Sequence, residues 1–113
     1  MEDFIPFELA VKLKEKGFDW ETREVYERNI LACRYEEYPK PTISQVLKWL
    51  REEKAFHIDV GVYEWGWYSD VWFYEYVEDV KEYYIKHAWQ TLDYTSYEQA
   101  ATAGIEYVLD NLI

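Results

Sequence analysis

Phe56-His57-Ile58-Asp59-Val60-Gly61-Val62-Tyr63, followed at once by Glu64-Trp65-Gly66-Trp67-Tyr68-Ser69-Asp70-Val71-Trp72-Phe73-Tyr74-Glu75-Tyr76-Val77, is where the chain changes its period. Upstream, apolar residues recur every three to four positions, and from Phe56 they recur at every second one. Phe56, Ile58, Val60 and Val62 alternate with His57, Asp59, Gly61 and Tyr63, which describes a strand with one apolar and one mixed face. Gly66 and Ser69-Asp70 predict a turn of several residues. Residues 71–77 then form a second strand, with Phe73 on one side and Trp72, Tyr74 and Tyr76 on the other. Glu78-Asp79 breaks it, and 83–92 gives a third. Consecutive strands joined by short polar loops pair as an antiparallel meander.

Helices flank this β region. The first is predicted over 6–16, where Pro6 suits the first helical position and Leu9, Ala10 and Leu13 draw an apolar stripe. Gly17 supplies a left-handed stop. Lys12, Lys14 and Lys16 lie toward the negative end of the helix dipole. The second begins at Thr42, whose side chain caps the helix while Gln45 reaches back, a capping box. Ile43, Val46, Leu47 and Leu50 form its buried face, with Trp49 covering the margin. Between these helices, residues 19–41 read as an irregular approach to one short strand near 30–35, ended by Pro39 and Pro41. The last helix starts at Thr95 with Glu98, or one residue later at Ser96 with Gln99. Its middle, Ala100, Ala101, Ala103 and Gly104, is thin. Glycine inside a helix costs about 1 kcal/mol relative to alanine, so a packing reason is expected: close approach to a layer of Trp and Tyr rings on the sheet. The expected fold is α+β: three helices packed mainly on one face of an antiparallel sheet of three to four strands, in the order α-(β)-α-β-β-β-α.

The 113 residues suit a single domain, and an apolar half is enough to offset the entropy of ordering the chain. Net charge is −11, unevenly spread: residues 1–54 hold ten Lys/Arg against twelve Asp/Glu, and residues 55–113 hold two against eleven. Such a surface repels phosphate backbones and suits a basic protein partner, so direct nucleic-acid binding is not expected. The plainer reading is that acidity keeps an aromatic-rich chain soluble. Cys33 stands alone, so no internal disulfide or cysteine metal site forms, and a buried, inert thiol is expected. The start lacks a signal-peptide pattern and no apolar run approaches 18 residues, so a cytoplasmic protein without a membrane partner is expected.

Three phrases carry a resemblance: Phe-Glu-Leu-Ala-Val-Lys-Leu-Lys-Glu-Lys-Gly-Phe-Asp (7–19), Tyr-Pro-Lys-Pro-Thr-Ile-Ser-Gln-Val-Leu-Lys-Trp-Leu-Arg-Glu (38–52), and Ser-Tyr-Glu-Gln-Ala with Gly-Ile-Glu-Tyr-Val-Leu (96–109). Together they resemble a group of small uncharacterised proteins carried by phages and mobile elements of Bacteroides-type bacteria. The β region does not share in the match. The resemblance implies a cytoplasmic, phage- or prophage-linked origin and assigns no activity, so no functional residue is carried over from it.

His57 and Asp59 share a strand face, and His87 lies in the third strand, so a His/Asp cluster for metal binding or acid/base work is geometrically available. Two histidines without a motif spacing more often pack or are solvated, and that reading is preferred. Glu36-Glu37, Glu52-Glu53 and Glu78-Asp79 are adjacent and do not face one another. No nucleophile motif or phosphate loop occurs. The expectation is a non-enzymatic protein with no catalytic residue, no metal site and no cofactor. Eight of the fourteen residues in 63–76 are aromatic. About half of these rings read as core. The rest form an interaction surface, Trp65, Trp67 and Tyr68 in the turn with Trp72 and Tyr74 on a sheet face, for a protein partner or for self-association. Ring stacking on sugars has only ring count behind it. The alternatives are a DNA-mimic inhibitor of a host nucleic-acid-binding protein and, more remotely, a small enzyme using His57, Asp59 and His87.

Overall fold

A computed structural model describes residues 3–31 and 34–113. Cys33, expected as a buried thiol, lies outside the described residues. The elements run α1 (Phe7–Glu15), β1 (Val25–Leu31), β2 (Arg34–Pro39), α2 (Ile43–Glu53), β3 (His57–Tyr63), β4 (Gly66–Val77), β5 (Glu82–Tyr94) and α3 (Tyr97–Asn111). The fold is α+β with two antiparallel sheets, the hairpin β1–β2 and the meander β3–β4–β5.

Local chemistry sets the helix ends. Gly17 adopts a φ of 91°, and the Phe18 N–H donates to the Leu13 carbonyl at 3.0 Å, closing α1. Pro6 precedes the first helical residue instead of being it. At α2, Gln45 N–H donates to Thr42 Oγ1 at 3.2 Å and Thr42 N–H donates to Gln45 Oε1 at 3.0 Å, so the expected capping box is complete. At α3 the cap is Ser96, not Thr95: Gln99 N–H donates to Ser96 Oγ at 3.2 Å. Gln99 Oε1 reaches back to the Thr95 N–H at 3.0 Å.

Two expectations for the strands are corrected. Residues 19–41 hold a hairpin where one strand near 30–35 was expected, with Arg28 opposite Glu36 and Tyr26 opposite Tyr38. It is a separate sheet seated on α1, where the Phe7 ring meets Tyr26 at 5.5 Å and Tyr38 at 5.3 Å, both edge-on. The turn expected across 64–70 contracts to Glu64-Trp65, because Gly66 already pairs with Tyr63. Trp67, Tyr68, Ser69 and Asp70 are therefore strand residues.

The core lies between the helices and one face of the meander, built from Leu9, Leu13, Val46, Leu50, Val71, Ile105 and Val108 with their neighbours. Each such side chain stabilises by about 1.5–3 kcal/mol through burial. Trp49, expected at the margin of α2, is 2% exposed. It packs edge-on against Phe18 at 5.3 Å, because the residues after α1 fold back over it. The thin segment of α3 does face the sheet, but what Gly104 meets there is Ser69 and Ile58, not rings. A Cβ at Gly104 would stand 2.5 Å from Ser69 Oγ and 2.8 Å from Ile58 Cγ2. The rings flank this contact: Trp89 stacks on Tyr107 at 4.9 Å, and Trp67 meets Tyr97 at 6.0 Å.

Candidate functional site

Alternation along the meander gives it two faces. Ile58 of β3, Ser69 and Val71 of β4 and Trp89 of β5 point at α3. The intervening residues point away from the helices, and among the described residues no helix lies over this outer face. Registry places His57 beside Trp72 and Trp72 beside His87. One step along, Asp59 lies beside Asp70, and Asp70 beside Gln90. Toward the far end follow the pairs Tyr74–Ile85 and Tyr76–Tyr83.

The outer side chains are ordered by ring–carboxylate contacts. Trp72 Nε1–H donates to Asp59 Oδ2 at 2.9 Å, and the His57 imidazole stacks on the Trp72 indole at 4.1 Å with 10° between planes. Tyr74 stands edge-on to both, 5.3 Å from Trp72 and 5.8 Å from His57. His87 Nδ1 lies 2.9 Å from Asp70 Oδ1. Asp70 is 8% exposed, whereas most of the His87 ring faces solvent. The Tyr63 hydroxyl donates to Asp93 Oδ1 and in turn accepts from the Asp93 N–H at 3.0 Å. That bond to the carboxylate holds the Tyr63 phenol above its usual pKa. Burial pushes the His57 imidazole below its ordinary value, with the Arg51 charge adding and Asp59 opposing.

The five aromatic residues expected at the surface divide. Trp65 is 80% exposed at the turn, and Tyr74 is exposed on the outer face. Trp72 is half-buried there by His57 and Tyr74. Tyr68 lies over Gly61, where a Cβ would come within 2.5 Å of its Cε1 and Cζ. Trp67 points the other way, against Tyr97 of α3, and is not part of the outer face. Tyr76, already placed beside Trp72 and Tyr74 by parity, and two exposed residues that sequence reasoning did not single out, Tyr83 and Ile85, extend the face along β4 and β5. Their alternation with Glu75, Glu82 and Lys86 was the available signal.

His57, Asp59 and His87 share the outer face but do not converge. The Trp72 indole stands between the β3 pair and His87, and His87 is held by Asp70 instead. Among the described residues, no group of three or more His, Cys, Asp or Glu side chains is placed to hold a metal ion. A cavity of about 150 Å³ lies elsewhere, lined by Phe4, Arg23, Lys40, Thr42 and Gln45. Its Lys40 ammonium rests over the Phe4 and Tyr26 rings at 4.8 and 5.1 Å. Among the described residues, no helix is long and apolar enough to cross a membrane. Comparison of the chain with protein-family models, with curated proteins and with solved structures finds no match.

Proposed function

We propose that this protein is a non-enzymatic interaction domain whose outer sheet face receives a cationic segment of a protein partner. The observation that carries the reading is the helix-free face on which Trp65, Tyr68, Trp72 and Tyr74 alternate with Asp59, Asp70 and Asp93. Aromatic faces and carboxylates both attract Lys and Arg side chains, and a ring already tied to a carboxylate, as Trp72 is to Asp59, loses little freedom when a partner arrives. The excess of acids over bases in 55–113 would speed the encounter. The DNA-mimic alternative asks for rows of free carboxylates. Asp59, Asp70 and Asp93 are each bonded to a ring partner, which favours docking onto rings over phosphate mimicry. A cytoplasmic, phage-linked setting belongs to the same proposal and rests on the sequence resemblance alone.

The test is a pull-down from bacterial lysate at low and high salt, with the wild-type chain and a Trp65→Ser/Tyr74→Ser variant as baits. The expected result is a basic protein retained by the wild type at low salt, released at high salt, and lost from the variant. Retention of nothing at low salt, or equal retention by both baits, would overturn the reading.

A further inference from the structure

β5 pairs with β4 on one side only, and among the described residues nothing pairs with its other edge. α3 lies over β3 and β4 more than over β5, so the helical layer leaves this edge clear. Open edges are usually blunted by proline, bulges, inward charges or a covering segment. The run Glu82-Tyr83-Tyr84-Ile85-Lys86-His87 keeps an unbroken register with β4 from Val77 to Trp72, with no proline and no bulge until the irregularity beside Val71. Its one lysine is already engaged, with Lys86 Nζ 3.3 Å from Glu75 Oε2. Beyond the His57–Trp72 pair β3 has ended, so this part of β4–β5 is a two-stranded arm. Such a hairpin is marginal in water on its own. Tyr83 is 69% exposed and Ile85 55%, an apolar strand edge without a cover.

We infer that the β5 edge joins a second copy of this chain, antiparallel about a two-fold axis through Tyr84, making one six-stranded sheet. The argument is the self-complementarity of the run. With Tyr84 opposite the partner's Tyr84, Glu82 falls opposite the partner's Lys86, and Lys86 opposite the partner's Glu82. Opposite charges and aromatic–β-branched pairs are the cross-strand neighbours that stabilise sheets. A two-fold interface makes each pair twice. Lys86 then sits between Glu75 of its own chain and the partner's Glu82, while Glu82 also accepts from the Tyr84 hydroxyl at 3.2 Å. On the outer face Tyr83 meets the partner's Ile85, which continues the Tyr76–Tyr83 ring contact of 5.0 Å into the second copy. Shifting the axis by one residue either way separates Glu82 from Lys86. The 82–87 run carries one acid and one lysine, so it escapes the acidity that elsewhere keeps copies apart. The molecule is 59 Å long, and a contact through its arm leaves the two acidic bodies well separated compared with the roughly 8–10 Å reach of charge in physiological salt.

Light scattering of the full chain tests this. The wild type is expected at twice the 13.8 kDa of one chain. Glu82→Lys and Lys86→Glu each put like charges opposite one another twice and are expected to weaken dimerisation at least about tenfold. The combined Glu82→Lys/Lys86→Glu chain restores opposite charges and is expected to recover the dimer. A monomeric wild type, a dimer indifferent to both single reversals, or a combined variant that stays monomeric would overturn the inference. Should a variant fail to fold, hydrogen exchange of the wild type decides: amides of 82–87 gain protection with rising protein concentration if the edge is paired, and the inference falls if they do not. The contact between copies takes Tyr83 and Ile85 at the far end of the outer face, whereas the cationic partner is placed on Trp65, Tyr68, Trp72 and Tyr74, so the reversals at Glu82 and Lys86 read dimerisation and the Trp65→Ser/Tyr74→Ser bait reads partner docking separately.

Discussion

β4 and β5 pass through two environments in one stroke. At their base, Ser69, Val71 and Trp89 lie under α3, where even the hydrogen of Gly104 is needed for fit. Farther along, Tyr74 leans on Trp72 and His57, and beyond it Tyr76, Tyr83 and Ile85 stand exposed, with the Tyr76 and Tyr83 rings 5.0 Å apart. The base matches a helix surface, with Ser69 and Ile58 against Gly104 and Trp89 stacked on Tyr107. The arm holds tyrosines, which bury area against a neighbouring ring and tolerate water at the hydroxyl. The difference teaches that one hairpin can have its stability concentrated at one end and its recognition surface at the other, because cross-strand registry transmits alignment without requiring burial all along.

The sharpest way to break this comparison is Gly104→Leu. Overpacking against Ser69 and Ile58 should cost about 3 kcal/mol or more, far beyond the roughly 1 kcal/mol gained in helix propensity. A thermal melt should drop by more than about 10 °C, and an unchanged midpoint would mean that α3 does not seat on the sheet as described. The reverse experiment at the same contact is Ser69→Ala. Ser69 Oγ is buried with no hydrogen-bond partner among the described residues, so its removal should stabilise by about 1 kcal/mol in urea melts. A loss of stability would show that the hydroxyl is satisfied after all.

In the arm, Tyr76→Ser should cost only about 0.5–1 kcal/mol while sharply lowering hydrogen-exchange protection in residues 74–85. If the base amides lose protection equally, the two regions are one cooperative unit and the comparison fails. The smallest effect is electrostatic. The folded His57 pKa lies below its ordinary 6.5, so between the two values the unfolded chain binds the proton more readily. Its contribution is therefore present above about pH 6.5 and is lost as pH falls through the folded value. His57→Gln should flatten that part of the stability–pH curve, read as a slope because the substitution also removes the stack on Trp72.

The helices were legible because their ends are written in few residues: Gly17, the Thr42–Gln45 box, and Ser96 with Gln99. The meander was legible from alternation through Val60 and Phe73. The β1–β2 hairpin was not, because its apolar partner, Phe7 against Tyr26 and Tyr38, lies in α1, and its own cross-strand links are polar. Arg28 bonds Glu36 at 3.0 Å and Tyr38 Oη at 2.9 Å, and a charged, weakly apolar stretch gives a periodicity search nothing to find. Ser69-Asp70 looked like a turn because both are polar. In the structure Ser69 is small for the sake of Gly104, and Asp70 is held by His87, two partners that local propensity does not contain. Of the candidate site, Tyr74 and Trp72 could be assigned to a face from parity alone. Trp67 was misplaced because the turn was drawn too long, and one misdrawn turn moves its residues from strand to loop.

The relief of the outer face is governed by a group the chain does not have. Gly61 leaves a shallow seat in β3, and the Tyr68 ring settles into it, leveling the sheet between the Asp59–Asp70 pair and the Trp65 corner. A methyl group at position 61 would act as a wedge and tip the phenol outward, turning a plane into a ridge. Position 61 is therefore a topographic control, able to alter what a flat partner can approach by moving Tyr68 alone, without changing charge or core.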